Sequence, residues 1–352
     1  MNNNPFVSII LPIRNESAYI ERGLLSLLAQ DYPADHMEIL IADGMSTDNT
    51  RLLIRDFSAL HPQLQIHILD NPGKIVPTGI NIALRQAKGE IIIRVDGHTL
   101  IAPDYIRQCV ETLQRTNADN VGGKMNAIGS NTFGEAVALA TSTPFGIGGG
   151  RFHYSDQEEW VDTVYMGAWP RRVFEKIGLF DEELVRDQDD EFNYRLRAQG
   201  GRILLSPAIR SEYTVRSTPV ALWRQYYQYG YWKVRVLQKH PRQMSLRQFV
   251  PPAFVLSLIV SALFALLFII HHLSFILLLA SFIPALYLIA NLGASLWTAS
   301  RRDWHSLPLL PIIFSILHIS YGLGFLVGLV KFSNRWGDKI GKVPGWSNET
   351  SG

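Results

Sequence analysis

The chain has 352 residues and a formal net charge of +2, so it is long enough for a sizeable core and too nearly neutral to suggest nucleic-acid binding. Its single cysteine, Cys109, excludes an intramolecular disulfide bond and is typical of a reducing compartment. Met1 is followed by a strand-like sequence and not by a charged, then apolar leader, so we expect no cleaved signal peptide.

Residues 6–98 alternate between two hydrophobic periods. Continuous or alternating apolar runs predict strands, and apolar residues at helical spacing predict a helix after each of the first three strands. The order β-α-β-α-β-α-β predicts an α/β fold with a mostly parallel sheet and helices on both faces. The predicted strands cover residues 6–11, 38–42, 65–69 and 91–95.

Polar and charged residues follow each of these four strands. Taken alone, each cluster is ordinary turn chemistry, and Asn15 and Asp48 are expected to cap the helices that follow them. Ligands of open parallel sheets, however, bind beyond the carboxyl ends of the strands. Four clusters at equivalent positions therefore predict one shared site, made by residues 12–16, 43–48, 71–74 and 96–98.

Residues 103–170 follow a less regular pattern. We predict a helix over residues 103–114 and a strand over residues 120–128, in which Gly122 and Gly123 let a ligand approach the backbone. Residues 146–150 include four glycines and predict a flexible loop, which either covers the active site or is a plain connector.

Two long stretches lack Asp, Glu, Lys and Arg. Residues 248–300 are long enough for two membrane-spanning helices joined near His271 and His272, and residues 304–330 for a third. The alternative is a set of buried core helices. Residues 208–247 precede these stretches and combine eight basic residues with Trp and Tyr against one acid, which predicts an interfacial amphipathic helix. Nucleic-acid binding is the weaker interpretation of those residues.

The basic residues predict the orientation of the chain in the membrane. Arg242 and Arg247 before the first span and Arg301 after the second place the catalytic part in the cytoplasm. A third crossing would put the basic C-terminal residues outside, namely Lys331, Arg335, Lys339 and Lys342. Pro308 and Pro311 would allow a re-entrant segment instead, and the sequence leaves this open.

Four motifs resemble, in order, those of family-2 glycosyltransferases of the GT-A fold. Residues 7–16 look like the opening strand and loop, residues 43–48 like the second nucleotide-contacting loop, and residues 96–98 like the Asp-X-Asp metal motif. Residues 188–191 followed by Arg195 resemble the motif that supplies the catalytic base. The resemblance covers residues 6–240 and is strongest to the succinoglycan-type glucosyltransferases of bacterial polysaccharide synthesis.

The resemblance implies a role for each rim residue. Asp43 would contact the uracil ring, and Pro12, Arg14 and Glu16 would line the base and ribose. Lys74 would offset the diphosphate charge, or is simply a solvated loop lysine. The resemblance thus implies a set of nucleotide-sugar-binding residues, namely Pro12, Arg14, Glu16, Asp43, Lys74 and Asp96.

Asp96 and His98 are the predicted metal ligands, since two residues at this spacing are able to face one ion. A divalent ion would neutralise the departing diphosphate as a Lewis acid. The family more often has a second Asp where His98 stands, and imidazole suits Mn²⁺ better than Mg²⁺, so we predict Mn²⁺. The alternative is that His98 is a turn residue that contacts substrate.

Asp189 matches the family's catalytic base, which deprotonates the acceptor hydroxyl. Asp190 is the alternative, because Gln188 replaces the usual Glu and leaves the register open. Neighbouring acids raise the pKa of a carboxylate, which suits a base. The same acids also suit a helix N-terminus, and Arg195 is expected to pair with Glu191 one turn earlier.

These expectations combine into one functional prediction with two alternatives. The chain is predicted to be a membrane-bound, inverting glycosyltransferase that moves glucose from UDP-glucose to a lipid-linked saccharide in polysaccharide biosynthesis. It would lie in a bacterial-type plasma membrane and contact other polysaccharide-assembly proteins. The alternatives are transfer to polyprenyl phosphate and a non-catalytic subunit of an export complex. The predicted domains are a catalytic domain (1–207), a basic and aromatic helical region (208–247), a membrane domain (248–332) and a tail (333–352).

Overall fold

The structure, a computed structural model, describes residues 4–243, 245–271, 274–338 and 341–346. The chain divides into two compact units. The first unit contains the described residues of 1–126, 151–214 and 341–352, and the second contains those of 127–150 and 215–340. The predicted domain boundaries stay a prediction. Residues 208–214 do not belong to a helical region, however, because they continue the strand Ile203–Thr214.

A nine-stranded sheet forms the centre of the first unit. Its strands are β1 (Val7–Ile13), β2 (Met37–Asp43), β3 (Gln65–Asp70), β4 (Ile91–Arg94), β5 (Thr99–Ile101), β6 (Asn120–Ile128), β7 (Glu159–Val161), β8 (Tyr165–Pro170) and β9 (Ile203–Thr214). The order across the sheet is β3-β2-β1-β4-β8-β6-β9-β5, with β7 beside β9. Strands β3, β2, β1 and β4 are parallel, which confirms the four predicted strands, and antiparallel pairs follow from β4 onward.

The register of the parallel strands brings their carboxyl ends together. Ile13 of β1 lies opposite Asp43 of β2, and Asp43 lies opposite Asp70 of β3. The polar residues that follow these strands therefore begin at one edge of the sheet, as the sequence predicts.

Helices cover both faces of this sheet. The helices of the first unit are α1 (Ile20–Leu28), α2 (Thr50–Leu60), α3 (Val76–Gln86), α4 (Tyr105–Thr116), α7 (Arg172–Ile177) and α8 (Gln188–Ala198). Because side chains alternate along a strand, Ile9 of β1 belongs to one buried cluster with α1 and α2, whereas Ile10 packs into another with α3. Pro77 lies in the first turn of α3, where its missing N–H costs nothing.

The two glycines of β6 do not make room for a ligand. A Cβ on Gly122 would lie 2.7 Å from the Val164 Cβ, and one on Gly123 would lie 1.7 Å from the Ile209 carbonyl oxygen. Neighbouring segments of the same unit occupy the space, so the prediction of a ligand at these glycines is wrong.

The second unit is helical. Its helices are α5 (Thr132–Thr141), α6 (Pro144–Ile147), α9 (Pro219–Lys239), α10 (Val250–His271), α11 (Ser274–Arg301) and α12 (Leu310–Lys331). Helix α6 therefore includes Gly146 and Ile147, the first two residues of the predicted glycine-rich loop 146–150, and its Phe145 packs edge-on against Phe314 at 4.9 Å. Thr218 caps α9 by accepting a hydrogen bond from the Ala221 N–H.

Three helices are long and apolar enough to cross a membrane. They cover Leu246–Ile269, Ala280–Arg301 and Leu310–Lys331, in agreement with the three predicted hydrophobic helices. Pro311 lies in the first turn of α12, which runs as one helix to Lys331. The predicted junction near His271 and His272 involves residues 272 and 273, which lie outside the described residues, as does Lys339.

Candidate active site

A buried arginine connects two of the predicted site residues. Arg94 is the last residue of β4, and its guanidinium Nε donates to Asp96 Oδ1 at 2.8 Å. Its Nη1 donates to Asp189 Oδ1 at 2.5 Å. Strand β4 and the first turn of α8 therefore meet at one guanidinium, which brings the predicted base close to the predicted metal ligand.

The charges of this cluster act on one another. The Arg94 side chain is only 7% exposed, and burial opposes its charge, but the carboxylates of Asp189 and Asp96 more than offset this and raise its pKa. Arg94 is therefore positively charged. Burial raises the pKa of Asp189, with the charges of Asp96 and Asp190 acting in the same direction and Arg94 opposing them. Solvent nevertheless reaches Asp189, since 41% of its side chain is accessible.

His98 lies against a second carboxylate. Its Nδ1 is 3.2 Å from Glu16 Oε1, and its ring packs edge-on against Tyr213 with the ring centres 5.3 Å apart. A carboxylate only accepts hydrogen bonds, so in the neutral imidazole Nδ1 carries the hydrogen and Nε2 keeps its lone pair. Gly97 permits this close approach, since a Cβ there would lie 2.8 Å from Ile13 Cγ2 and 3.2 Å from Glu16 Cγ.

The loops after β1 and β2 are joined by hydrogen bonds. Asn15 Oδ1 accepts from the Thr47 N–H at 2.9 Å, so Asn15 connects the two loops and does not cap α1 as predicted. Asp48 Oδ1 accepts from the N–H of Thr50, the first residue of α2, at 3.1 Å, but the N-cap of α2 is Asn49, without a side-chain cap hydrogen bond, so Asp48 does not cap α2 as predicted. Its Oδ2 accepts from the Ser17 N–H at 3.2 Å, and hydrogen bonds from Thr50 and Ser17 lower the pKa of Asp48 to about 2.

Asp43 is buried at the end of β2. Its carboxylate accepts from the Ser46 N–H and, at 2.5 Å, from the Ser46 hydroxyl, and it pairs with Arg51 Nε at 2.6 Å. Arg51 also contacts Asp70 at the end of β3. The side chain of Asp43 is 0% exposed, so contact with a base would require the turn after β2 to move.

The other three predicted rim residues differ in exposure. Pro12 is buried within β1, whereas Arg14 and Lys74 are exposed. Lys74 has a positive φ of 59° in the turn after β3. The structure thus pairs Glu16 with His98, and it joins Asp96 and Asp189 through Arg94. Arg14 and Lys74 supply positive charge in the loops that follow β1 and β3.

The first turn of α8 is held in place by its own second turn. Arg195 donates to both oxygens of Glu191 at 2.7 and 3.0 Å, which confirms the predicted pair. The same guanidinium donates to the carbonyl oxygens of Ile177 and Leu179, both at 2.7 Å. Arg195 therefore fixes the segment that leads from α7 toward Asp189.

The described residues 341–346 bind to that same segment. The Leu179 N–H donates to the Pro344 carbonyl oxygen at 3.0 Å, and the Glu182 N–H donates to that of Lys342 at 2.9 Å. Trp346 stacks on Phe174 with the ring centres 6.0 Å apart. We call residues 341–346 the C-terminal strap. No sequence pattern predicts this strap, because its partners lie far away along the chain.

Few side chains among the described residues are placed to bind a metal ion together. Within the described ranges 4–243, 245–271, 274–338 and 341–346, no three His, Cys, Asp or Glu side chains are grouped to hold a metal ion. Asp96 and His98 have suitable donor chemistry, and ions at phosphate sites commonly take one or two protein ligands with phosphate oxygens and water completing the shell. The hydrogen bond from Nδ1 to Glu16 is the arrangement that orients a metal-binding histidine.

The chain is similar to glycosyltransferases and polysaccharide biosynthesis proteins over most of its length. The model of the family described as glycosyl transferase family 2 matches residues 8–178. A succinoglycan biosynthesis protein of Rhizobium meliloti is 29% identical over 93% of this chain and 96% of its own length. A dolichyl N-acetyl-α-D-glucosaminyl phosphate 3-β-D-2,3-diacetamido-2,3-dideoxy-β-D-glucuronosyltransferase of Methanococcus voltae is 30% identical over 93% of this chain and 98% of its own.

A solved structure shows the same fold. The mannosyltransferase of Pyrobaculum calidifontis, in complex with GDP-Man and Mn²⁺, matches with a TM-score of 0.57 at 20% identity, over 90% of this chain and 88% of its own. This likeness confirms the predicted GT-A-like α/β fold followed by helices able to span a membrane.

Proposed function

Because the chain belongs to glycosyltransferase family 2 and is therefore a glycosyltransferase, we propose that it is a membrane-bound, inverting enzyme that moves glucose from UDP-glucose onto a lipid-linked saccharide in polysaccharide biosynthesis. The observation that carries the proposal is the shared guanidinium of Arg94, which holds Asp189 beside Asp96. A base for the acceptor and a carboxylate for the donor are then within one site.

The proposed reaction uses Asp189 as the general base. Its carboxylate accepts the proton of the acceptor hydroxyl as that oxygen attacks the anomeric carbon, and the nucleoside diphosphate leaves on the opposite face of the sugar. Burial, together with the charges of Asp96 and Asp190, raises the pKa of Asp189 and so makes it a better proton acceptor. Arg94 holds the carboxylate in position and favours its ionised form, because the guanidinium charge lowers the pKa of Asp189.

Asp96 and His98 are the proposed ligands of a divalent ion. When bound, the ion would neutralise the charge that develops on the departing diphosphate. Glu16 holds the His98 ring with Nε2 free to bind, a role that differs from the ribose contact predicted for it. The preference for Mn²⁺ over Mg²⁺ is part of this proposal and follows from the imidazole ligand.

The remaining rim residues are proposed to bind the nucleotide. Arg14 and Lys74 are exposed cations near the donor's negative charge, and Asp43 with Pro12 shapes the floor beneath the base. The Methanococcus voltae relative is named for a dolichyl phosphate-linked saccharide acceptor, which supports a lipid-linked acceptor here. The apolar helices support a multi-pass place in a bacterial-type plasma membrane. A catalytic part in the cytoplasm and other polysaccharide-assembly proteins as partners are further parts of this proposal.

Transfer to polyprenyl phosphate is a second candidate function. One of the two carboxylate oxygens of Asp189 already accepts a hydrogen bond from Arg94, which weakens the carboxylate as a base, and a phosphate acceptor needs no strong base. The non-catalytic alternative is not carried forward, because the chain is a family-2 glycosyltransferase.

A donor and acceptor screen tests both candidates. Purified protein in detergent would be given Mn²⁺, a panel of nucleotide sugars and either a lipid-linked saccharide or polyprenyl phosphate, with nucleotide release as the readout. We expect release with UDP-glucose and the lipid-linked saccharide. Release only with polyprenyl phosphate, and its persistence in a variant lacking both Asp189 and Asp190, would establish the second candidate instead.

A further inference from the structure

The third apolar helix, α12, runs beside α9 in the same direction. A Cβ on Gly324 would lie 2.0 Å from the Tyr227 carbonyl oxygen, so the two backbones are in close contact there. Further along both helices, Gln238 Nε2 donates to the Phe332 carbonyl oxygen at 2.7 Å. Helix α9 carries charged and aromatic residues throughout and is not among the helices apolar enough to cross a membrane. Helix α12 therefore packs along α9, a helix that is too polar to span a membrane.

Helix α12 meets α10 at the beginning of α10. A Cβ on Gly322 would lie 2.4 Å from the Pro251 carbonyl oxygen and 2.5 Å from Val255 Cγ2. Phe325 packs edge-on against Phe249, which directly precedes α10. These contacts lie where α10 follows α9 along the chain.

The contacts of α12 with α11 lie at the same level. His318 Nδ1 is 3.0 Å from the Tyr287 hydroxyl, and Asn291 Nδ2 donates to Ser315 Oγ at 3.0 Å. Tyr287 stacks on Phe254 of α10, with the ring centres 4.1 Å apart. Helix α12 therefore passes across the start of α10 and the adjoining part of α11.

The C-terminal end of α12 is tied to α9 and, through the chain, to the strap. The fully buried Arg235 of α9 donates to the Asp338 carbonyl oxygen at 3.4 Å. Three peptide steps, roughly 11 Å at most, separate Asp338 from Gly341. The residues that follow belong to the first unit, through the hydrogen bonds of Lys342 and Pro344. A chain this short does not cross a hydrocarbon core of about 30 Å.

We propose that α10 and α11 alone cross the membrane, and that α12 lies with α9 on the catalytic side, where the aromatic and basic side chains of α9 meet the lipid headgroups. The inference rests on the proposed membrane location of α10 and α11. Burial against protein accounts for part of the apolar sequence of α12, whose Phe314, Leu317 and Phe325 are at most 2% exposed. It also places Lys331 and Arg335 on the same side as Arg247, as the distribution of basic residues in membrane proteins requires.

Sided cysteine labelling tests this topology in the full chain. Cys109 is fully buried, so the unmodified protein gives the background. Four variants each add one cysteine, at Gln63 in the first unit, at His272 between α10 and α11, at Ser300 at the end of α11, and at Ser333 after α12. Each variant that retains transfer activity is treated with a membrane-impermeant maleimide in right-side-out and in inverted vesicles.

We expect Gln63→Cys, Ser300→Cys and Ser333→Cys to react in the same vesicle orientation and His272→Cys in the opposite one. Reaction of Ser333→Cys together with His272→Cys would show that α12 crosses and would overturn the inference. Reaction of His272→Cys together with Gln63→Cys would instead show that α10 and α11 do not cross, which contradicts the membrane location on which the inference rests.

Discussion

Arg94 Nη1 lies 2.5 Å from Asp189 Oδ1, so a buried guanidinium joins the end of β4 to the first turn of α8. The same guanidinium holds Asp96 through Nε. The two carboxylates compensate the charge of the buried arginine, which would be strongly unfavourable without them. The two contacts of Arg94 thus couple the position of the proposed base, Asp189, to that of the proposed donor-site carboxylate, Asp96.

Replacing Asp189 with Asn should remove transfer while sparing donor binding. The amide keeps the shape of the side chain but does not accept a proton, so we expect turnover to fall by roughly 10²–10⁴-fold. Asp190→Asn is the matched control, since it alters the neighbouring acid of the same turn. Turnover with UDP-glucose and calorimetric binding of UDP would be measured for both variants. Full turnover in Asp189→Asn with a loss in Asp190→Asn would move the role of base to Asp190.

The pH dependence of transfer should reveal the charge balance around Asp189. Burial raises its pKa above the ordinary value for aspartate, and the base works only when ionised, so kcat should fall as the pH drops through that raised pKa. Arg94 lowers the pKa of Asp189, and Arg94→Gln should therefore move the acid limb to higher pH by about 1–3 units.

The pH profiles of both proteins would be compared at saturating donor, with thermal melting and UDP binding measured to exclude a folding defect in Arg94→Gln. An acid limb that stays in place although the variant is folded would mean that a group other than Asp189 controls it.

The strands of the first half were predictable because their signal is local. Alternation of apolar residues over a few positions predicts residues 120–128, and Asn120–Ile128 is the strand that forms. The same local view failed for Gly123, where the close neighbour is the Ile209 backbone, more than eighty residues away along the chain. A glycine in a strand indicates that something approaches closely, and only the fold tells what it is.

The sequence also did not predict which side chains of the site pair with one another. Arg94 stands in an apolar run, and a charge in a buried strand must have a partner, so the sequence held a signal that a partner exists. The sequence did not indicate that Asp189 is this partner, because Asp189 lies 95 residues after Arg94. Glu16 was predicted to face ribose and instead lies 3.2 Å from His98, because both residues end up at the carboxyl ends of the adjacent strands β1 and β4.

His98 should determine which divalent ion supports transfer. Imidazole suits Mn²⁺, whereas Mg²⁺ prefers oxygen ligands, so His98→Asp should raise turnover with Mg²⁺ relative to Mn²⁺. The ratio of initial rates with the two ions would be measured in the parent and the variant, and Glu16→Gln would serve as a second variant that keeps the imidazole but weakens its orientation. An unchanged ratio in His98→Asp would indicate that His98 does not bind the ion.

The C-terminal strap should affect the catalytic rate more than donor affinity. Trp346 stacks on Phe174, and the guanidinium of Arg171 lies 5.5 Å from the centre of its ring, so Trp346→Ala removes contacts of roughly 1–2 kcal/mol that hold the strap in place. A loosened strap frees the Leu179 N–H, and with it the segment that Arg195 fixes ahead of Asp189. We expect a lower kcat with little change in the KM for UDP-glucose. Val343→Ala, which trims an exposed side chain of the same strap, is the matched control. If Trp346→Ala changed donor KM and left kcat intact, the strap would act on the nucleotide side of the site and not on the position of Asp189.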